Sequence, residues 1–245
     1  MGRKSLYVRL IRHSLSPEEI VAMGAKLCYS PIDVDALETG VQSKEQGGFV
    51  RKLMDLGHMS PLEHAVFTYA IEGVSRSLLA QITRHRIASF SVQSQRYVSE
   101  HSVIGGEGFD YIIPPRIENL GREYVEIYQQ QMQKIQEWYD FWLEKLNETG
   151  EAGQEDARFV LPNAAETKLI VTMNARELLH FFRLRCCNRA QWEIHQLADR
   201  MLIEAKKIAP NVFQNAGPGC LSGICPEGKM TCGKITEVRE IYARY

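Results

Sequence analysis

A run of about eighteen apolar residues, the length a helix needs to cross a bilayer, is missing from this 245-residue sequence. No membrane partner is expected. An excess of one charge is missing too: 29 Lys and Arg face 30 Asp and Glu, for a formal net charge of −1. No global field therefore draws the chain to nucleic acid or acidic lipid, and any basic site must be local. The opening MGRKSLYVRLIRHS has neither the apolar stretch nor the small-residue cleavage site of a secretory leader, so a cytoplasmic setting is expected. Six cysteines do not make a disulfide scaffold in a chain of this length. Cys28 is isolated, Cys186 and Cys187 adjoin, and Cys220, Cys225 and Cys232 form a trio with four and six residues in the gaps. Structural zinc wants four ligands, often in close pairs. No histidine follows His195, so reduced thiols and no metal site are expected. Internal repeats and low-complexity linkers are also absent.

What is present is an ordinary globular composition, 44% apolar and 24% charged, enough for a sizeable core. Leu6 to Ile11 alternates like a strand. Ser16-Pro17-Glu18-Glu19 predicts a helix start, with serine as the N-cap, proline in the first turn and acids at the positive end of the dipole. A second helix is expected from about Ser43 to Leu56, burying Phe49, Leu53 and Leu56 and ending at Gly57. HMSPLEHAVFTYAIEGV turns β-branched and aromatic in its second half, which predicts a strand. Val74 to His85 has a helical pattern that would place Gln81, Arg84 and His85 on one face. Ile87 to Tyr97 is polar and aperiodic, a loop or edge strand. His101 to Pro115, with Gly105, Gly106 and Gly108, is a connector.

Further on, Tyr124, Ile127, Tyr128, Gln131, Ile135, Trp138, Trp142 and Leu146 give Glu123 to Leu146 the period of a long amphipathic helix. Asp156 to Leu161 predicts a short helix stopped by Pro162, and Lys168 to Met173 a strand. Asn174-Ala175-Arg176-Glu177 has the form of a capping box, opening a helix to about Cys186. Another helix is expected over Ala190 to Ile208, and the tail from Gly217 is turn-rich. The expected architecture is one α/β domain spanning 1–245, with helices dominant.

Two polar clusters carry the chemistry. Arg84, His85 and Arg86, followed by Ser89, Ser91, Ser94 and Arg96, put three guanidinium forks and several hydroxyls within thirteen residues. Such forks grip phosphate bidentately, yet the same run also suits a solvated basic loop, and the residues alone leave both open. In the second cluster, Arg176, His180 and Arg183 share a helix face, with Arg185 at the helix end. An exposed cationic last turn explains these residues equally well.

Arg84, His85, Arg86, Ser89, Ser94, Arg96 and Tyr97 fill all seven fixed positions of R-H-R-x-x-S-x-x-x-x-S-x-R-Y. By this motif the chain resembles the flavin-dependent thymidylate synthases. The resemblance runs through SPLEHAVFT, ARFVLP, MNAREL and AQWEI, from about Ser60 to Ala198. The tail from about 217 lies outside it. The resemblance implies methylation of dUMP to dTMP, with carbon from methylenetetrahydrofolate and hydride from NADPH by way of FAD. It also implies helices around a mainly antiparallel sheet, in a homotetramer with active sites between subunits. On the same ground, FAD would touch Ser60, Arg84, His85, Arg86, Val92, Asn174, Ala175, Arg176 and His180. The nucleotide would meet Gln81 and Arg84 from one chain, and Val92, Gln93, Ser94, Gln95 and Arg96 from a neighbour, with Arg158 and Arg185 completing its site. Arg185 would be the catalytic residue, stabilising charge that develops on the uracil ring. Two positions depart from the family's habit: Val92 replaces an acid or amide, so a polar contact there must use its backbone, and Ser91 stands where asparagine is frequent.

Two rivals remain in the sequence. A thymidylate synthase with a cysteine nucleophile could use Cys186 or Cys187, since neighbouring arginines lower a thiol pKa. A non-catalytic nucleotide- or RNA-binding module could use the basic segments. The neutral balance, and only Phe90 and Tyr97 as aromatics beside the arginines, count against it.

Overall fold

In the computed structural model of the chain, the described residues are 1–102, 108–146 and 150–245. Gly105 and Gly106 of the expected connector lie outside them. Alternation becomes strand at β1 (Tyr7–His13), β2 (Val66–Ser75), β3 (Ala88–Val92) and β4 (Glu166–Asn174), paired in the order β1-β2-β4-β3. The pairing is antiparallel. Ser14 N–H donates to the Val66 carbonyl at 2.9 Å, while the Thr68 and Thr172 hydroxyls bond at 2.9 Å. β3 lies at an edge, so the loop-or-edge-strand expectation for Ile87 to Tyr97 holds. Gly73 in β2 has φ +69°, and a Cβ there would sit 2.0 Å from the Ser5 carbonyl oxygen. Only glycine fits this approach. Its N–H donates to Glu166 Oε1 at 2.8 Å.

Helices occupy α1 (Pro17–Leu27), α2 (Val34–Gln42), α3 (Gly47–Asp55), α4 (Arg76–Ile82), α5 (Pro115–Glu118), α6 (Arg122–Leu146), α7 (Glu151–Ala157), α8 (Ala175–Arg185), α9 (Trp192–Ile208), α10 (Pro210–Phe213) and α11 (Ile235–Tyr242). Several differ from expectation for local reasons. Ser16 precedes α1 in the left-handed region at φ 42° and does not cap with its side chain. The helix expected over Ser43 to Leu56 begins later, as α3 from Gly47, and α2 precedes it in a segment where no helix was expected. Asp33 opens α2 by accepting from Ala36 N–H at 2.8 Å. The break between α2 and α3 is held by Gln46, whose amide donates to the Val41 and Lys44 carbonyls. Val50 and Leu53 are buried in α3, whereas Leu56 is 62% exposed. α11 arises within the tail, burying Val238 and Tyr242 one helical turn apart.

α4 stops at Ile82, where Thr83 turns its hydroxyl onto the Leu79 carbonyl at 2.9 Å. Gln81 is helical and Arg84 and His85 are not, so these three do not share a helix face. α6 confirms the long helix but not a buried apolar stripe. Met132, Gln136 and Tyr139 are its buried residues, while Tyr124, Ile127, Trp138 and Trp142 stay exposed. Asn174 does cap α8, accepting from Glu177 N–H at 2.8 Å. The Glu177 carboxylate, however, turns to His85 rather than back to the cap.

The chain divides into two compact units. One comprises 1–7, 71–84 and 91–170; Phe109, Tyr111, Ile113, Met132 and Ala165 form a core cluster in it. The other comprises 8–70, 85–90 and 171–245. Its core includes Phe67, Phe182 and Phe213, packed edge to face at 5.4 and 5.9 Å.

Candidate active site

The unit of 8–70, 85–90 and 171–245 holds the second basic cluster together with His85. His85 is 5% exposed, and both of its ring nitrogens are engaged. Nδ1 lies 3.0 Å from Glu177 Oε1, and Nε2 lies 3.1 Å from Arg185 Nε. An arginine Nε–H can only donate, so Nε2 must accept and Nδ1 carries the proton toward Glu177. The geometry thus fixes a neutral imidazole of one tautomer. Burial, followed by the Arg185 charge, pushes the His85 pKa below its ordinary value, while the Glu177 bond opposes the shift. The rings of Phe181 and His180 flank it at 5.0 and 5.9 Å.

Beside this chain of bonds lies a cavity of about 430 Å³, lined by Glu63, Ile87, Asn174, Arg176, Glu177 and His180. Its size falls in the range of small-molecule sites. Three expected flavin contacts, Asn174, Arg176 and His180, line it. Arg176 Nη1 bonds Glu63 Oε1 at 2.5 Å, which ties α8 to the 3₁₀ turn that Ser60 opens. Ala175, an expected flavin contact, is fully buried and donates its N–H to the Ala65 carbonyl at 2.8 Å, so it packs the start of α8 and does not face the cavity. Arg86 is exposed. Ligand atoms of His85, Glu177 and His180 lie within 4.8 Å of one another, but His85 has already used both nitrogens on protein partners. That arrangement is a hydrogen-bonded chain rather than a metal site.

The unit of 1–7, 71–84 and 91–170 holds the nucleotide candidates other than Arg185. Gln93 extends the β3 edge, donating its N–H to the Lys168 carbonyl at 2.9 Å and accepting from Arg76 Nη2 at 3.1 Å. Ser94 Oγ accepts from Arg96 N–H at 3.2 Å, closing a turn over Ser94–Tyr97. The Arg96 guanidinium sits between two α7 carboxylates, Glu151 at 2.9 Å and Glu155 at 3.0 Å, and 5.2 Å from the Tyr97 ring centre. Arg158 meets the same turn of α7, donating Nε–H to the Glu155 carbonyl at 3.2 Å. Arg96 and Arg158 therefore both bond Glu155, one through its carboxylate and the other through its carbonyl. Gln81 is half-buried and Arg84 exposed, and Val92 and Gln95 are half-buried in the β3 edge and the turn.

Sequence reasoning missed two participants. Glu177 was read only as part of a cap, and its partner lies 92 positions away. Arg76 supports the loop through Gln93, and burial, then the Arg158 charge, pulls its pKa down. The cysteine rival loses its physical basis at Cys186. That thiol is fully buried, and burial and then Asp199 push its pKa well above the ordinary value, opposite to an activated nucleophile.

An α/β chain with an antiparallel sheet, a polarised histidine–arginine pair beside a small-molecule cavity and a separate arginine turn belongs to the class of nucleotide-handling enzymes. Residues 9–211 match the family model described as "Thymidylate synthase complementing protein". The chain is 49% identical to a flavin-dependent thymidylate synthase of Geobacter sulfurreducens, covering 96% of this chain and 97% of that one. It is 48% identical to one of Clostridium tetani, covering 96% of each. The chain belongs to the flavin-dependent thymidylate synthase family. The crystal structure of a UMP/dUMP methylase from Streptomyces cacaoi, bound with 5-Br dUMP, shares the fold with a TM-score of 0.70 at 23% identity, covering 87% of this chain and 95% of that one.

Proposed function

We propose that this chain, acting as a single enzyme domain in a homotetramer, converts dUMP to dTMP. Methylenetetrahydrofolate donates the carbon and NADPH the reducing equivalents, with FAD as the resident cofactor. The observation that carries the reading is the bond chain Glu177–His85–Arg185 beside the 430 Å³ cavity, in a chain with the complete family signature. The cavity suits a polar, partly flat cofactor. Arg176, paired with Glu63, together with Asn174 and His180 supplies polar atoms, and Ile87 supplies an apolar wall. When bound, FAD supplies the redox chemistry that no side chain here can provide.

The chain's own residues bind, orient and polarise. His85 accepts from Arg185 Nε–H and so fixes the plane of the guanidinium before substrate arrives. Fixed in that way, Arg185 can stabilise negative charge developing on the uracil nitrogen and its flanking oxygens without reorganising, which is the type of effect that most lowers such barriers. Arg84 and Gln81 would hold dUMP from their own chain, with Arg96, Ser94 and Gln95 reaching a neighbour's nucleotide. The exposed apolar residues of α6, with Trp138 at 51% and Trp142 at 46%, support burial of that helix against another copy.

The absorption spectrum of the purified protein, before and after dUMP is added, tests the cofactor and substrate together. A flavin band perturbed by dUMP is the expected result; a colourless protein with no dUMP-dependent change refutes the reading. Arg185→Ala should keep FAD and lose most dTMP formation, on the order of a hundredfold or more. Near-normal turnover would show that the activating group lies elsewhere.

A further inference from the structure

The tail trio of cysteines does not stand alone in three dimensions. Cys220, Cys225 and Cys232 line a small cavity together with Cys187, the residue that follows the buried Cys186 at the end of α8. The cavity has about 20 Å³ of room, the scale of one or a few atoms. We infer that these four cysteines form a thiolate metal centre that fastens the tail to the end of α8, with a zinc ion or an iron–sulfur cluster as its occupant. The fourth ligand that the spacing lacked comes from 33 residues before the trio begins, so local reading could not supply it.

Three observations support the assignment. All four thiols are free and none is paired in a disulfide. The segment between Gly217 and α11 has only one short 3₁₀ turn, Gly228–Met230, as regular structure. A stretch so poor in secondary structure needs another constraint to stay ordered. Finally, the surroundings suit a cluster of negative sulfurs. Arg183 lines the cavity, Arg239 donates to the Cys220 and Gly223 carbonyls at 3.0 and 2.6 Å, and Asn188 Nδ2 points to Cys232 Sγ at 3.7 Å. Such cationic and N–H neighbours are what thiolate-ligated centres use to balance charge. Both occupants require the same donor set in its deprotonated form, so binding either one releases the thiol protons.

The two occupants differ in size. A closed zinc site draws its sulfurs to about 2.3 Å from one ion and leaves no space for water. Among the described residues, the cluster whose ligand atoms close within 4.8 Å is the one at His85, not the thiols. With about 20 Å³ of room, a zinc ion would draw the thiols inward, whereas an iron–sulfur cluster would push them apart.

The test is metal and acid-labile sulfide analysis of the full-length flavin-loaded protein, purified without oxygen. Flavin absorption hides a cluster's visible band, so electron paramagnetic resonance after reduction serves as the spectroscopic arm. About four iron and four sulfide per chain, or about one zinc, supports the centre and identifies its occupant. Cys225→Ser and Cys232→Ser should each lower that content at least about tenfold, whereas Cys28→Ser, an exposed thiol outside the cavity, should keep it. Should the variants fail to fold, removal of metal from the wild type should expose about four further thiols to a thiol reagent. Metal below about a tenth of an equivalent, both as purified and after reconstitution with ferrous iron and sulfide or with zinc, overturns the inference.

Discussion

Glu177→Ala gives the sharpest test of how the site is held together. The wild-type carboxylate, with its side chain 9% exposed, accepts the Nδ1 proton of a histidine that is itself buried. Truncation leaves that donor without its partner, and a hydrogen bond to a charged group in such a place is worth about 1.5–3 kcal/mol. A loss near 2 kcal/mol corresponds to a fall of about 4–8 °C in Tm for a chain of this size. The functional effect should be larger than the thermal one suggests. Without an acceptor at Nδ1, the imidazole is released to the other tautomer, whose Nε2–H opposes the Arg185 Nε–H instead of accepting it. Glu177→Gln offers the discriminating control, because its amide oxygen can still accept from Nδ1 and should restore much of the activity. The assays are dTMP formation per bound flavin and nitrogen NMR of labelled histidine. If Glu177→Ala turned over normally with an unaltered His85 tautomer, the positioning role given to Glu177 would be wrong.

The same pair sets a pH dependence with a definite sign. The folded-state pKa of His85 lies below its ordinary value, because burial and the Arg185 charge disfavour the cation. The unfolded chain therefore takes up a proton near pH 6.5 that the folded chain refuses. Stability contributed by the neutral ring is present above that pH and is lost as the pH falls through it toward the folded value. Removing Glu177 deletes an influence that raises the His85 pKa, so the acid-side loss should extend over a wider range in Glu177→Ala. Thermal melts between about pH 7 and pH 5 measure this, with His85→Gln as the flat reference.

Other perturbations follow from separate features. Arg84→Ala and Arg96→Ala, each weak in dUMP turnover alone, should recover part of their activity when mixed and reassembled, because the proposed site draws the two residues from different chains; absence of recovery counts against shared sites. Gly73→Ala should lower Tm by roughly 6 °C or more, about 3 kcal/mol, since the added Cβ meets backbone oxygen at a positive φ; a melt within a degree or two of wild type would contradict it. Cys186→Ala should cost no more than about 2 kcal/mol of stability and retain dTMP formation, whereas a silent enzyme would revive the cysteine-nucleophile mechanism.

The sequence was most informative where one local pattern decided the outcome. The capping asparagine at 174, the edge position of Ala88–Val92 and the length of α6 follow from residues within a few positions of one another. It failed where a distant partner decided. Glu177 has the spacing of a capping box, but a buried histidine 92 positions away outbids the exposed cap for its carboxylate. The helix expected across Ser43–Leu56 was shortened to Gly47–Asp55 for a similar reason. Gly47 packs where a Cβ would lie 2.2 Å from Asn211 Nδ2, a contact with α10 that no local window contains. In α6 the period was right and the assignment of the buried side was not, since periodicity locates an apolar face without saying whether the same chain covers it. The cysteine trio shows the same limit, because its fourth member lies on another element.

Arg96 shows how an apparent conflict between sequence and structure can be compatible with the proposed function. Read alone, it is a phosphate ligand; in the structure it rests on Glu151 and Glu155. Exposed pairs of this type contribute little to stability, because water and salt compete with them. A phosphate, with more charge and a matching fork geometry, can therefore displace the carboxylates at small cost. What the acids provide in its absence is conformation: a long, rotamer-rich side chain is held against α7 and over the Tyr97 ring instead of sampling solvent. Ligand binding then exchanges one partner for another and orders less side chain than it would from a disordered start. Two acids at the mouth of the proposed phosphate site are thus compatible with binding, provided they stay as exposed as they are here, at 47% and 50% of their side chains. Buried, the same acids would compete with a phosphate for Arg96.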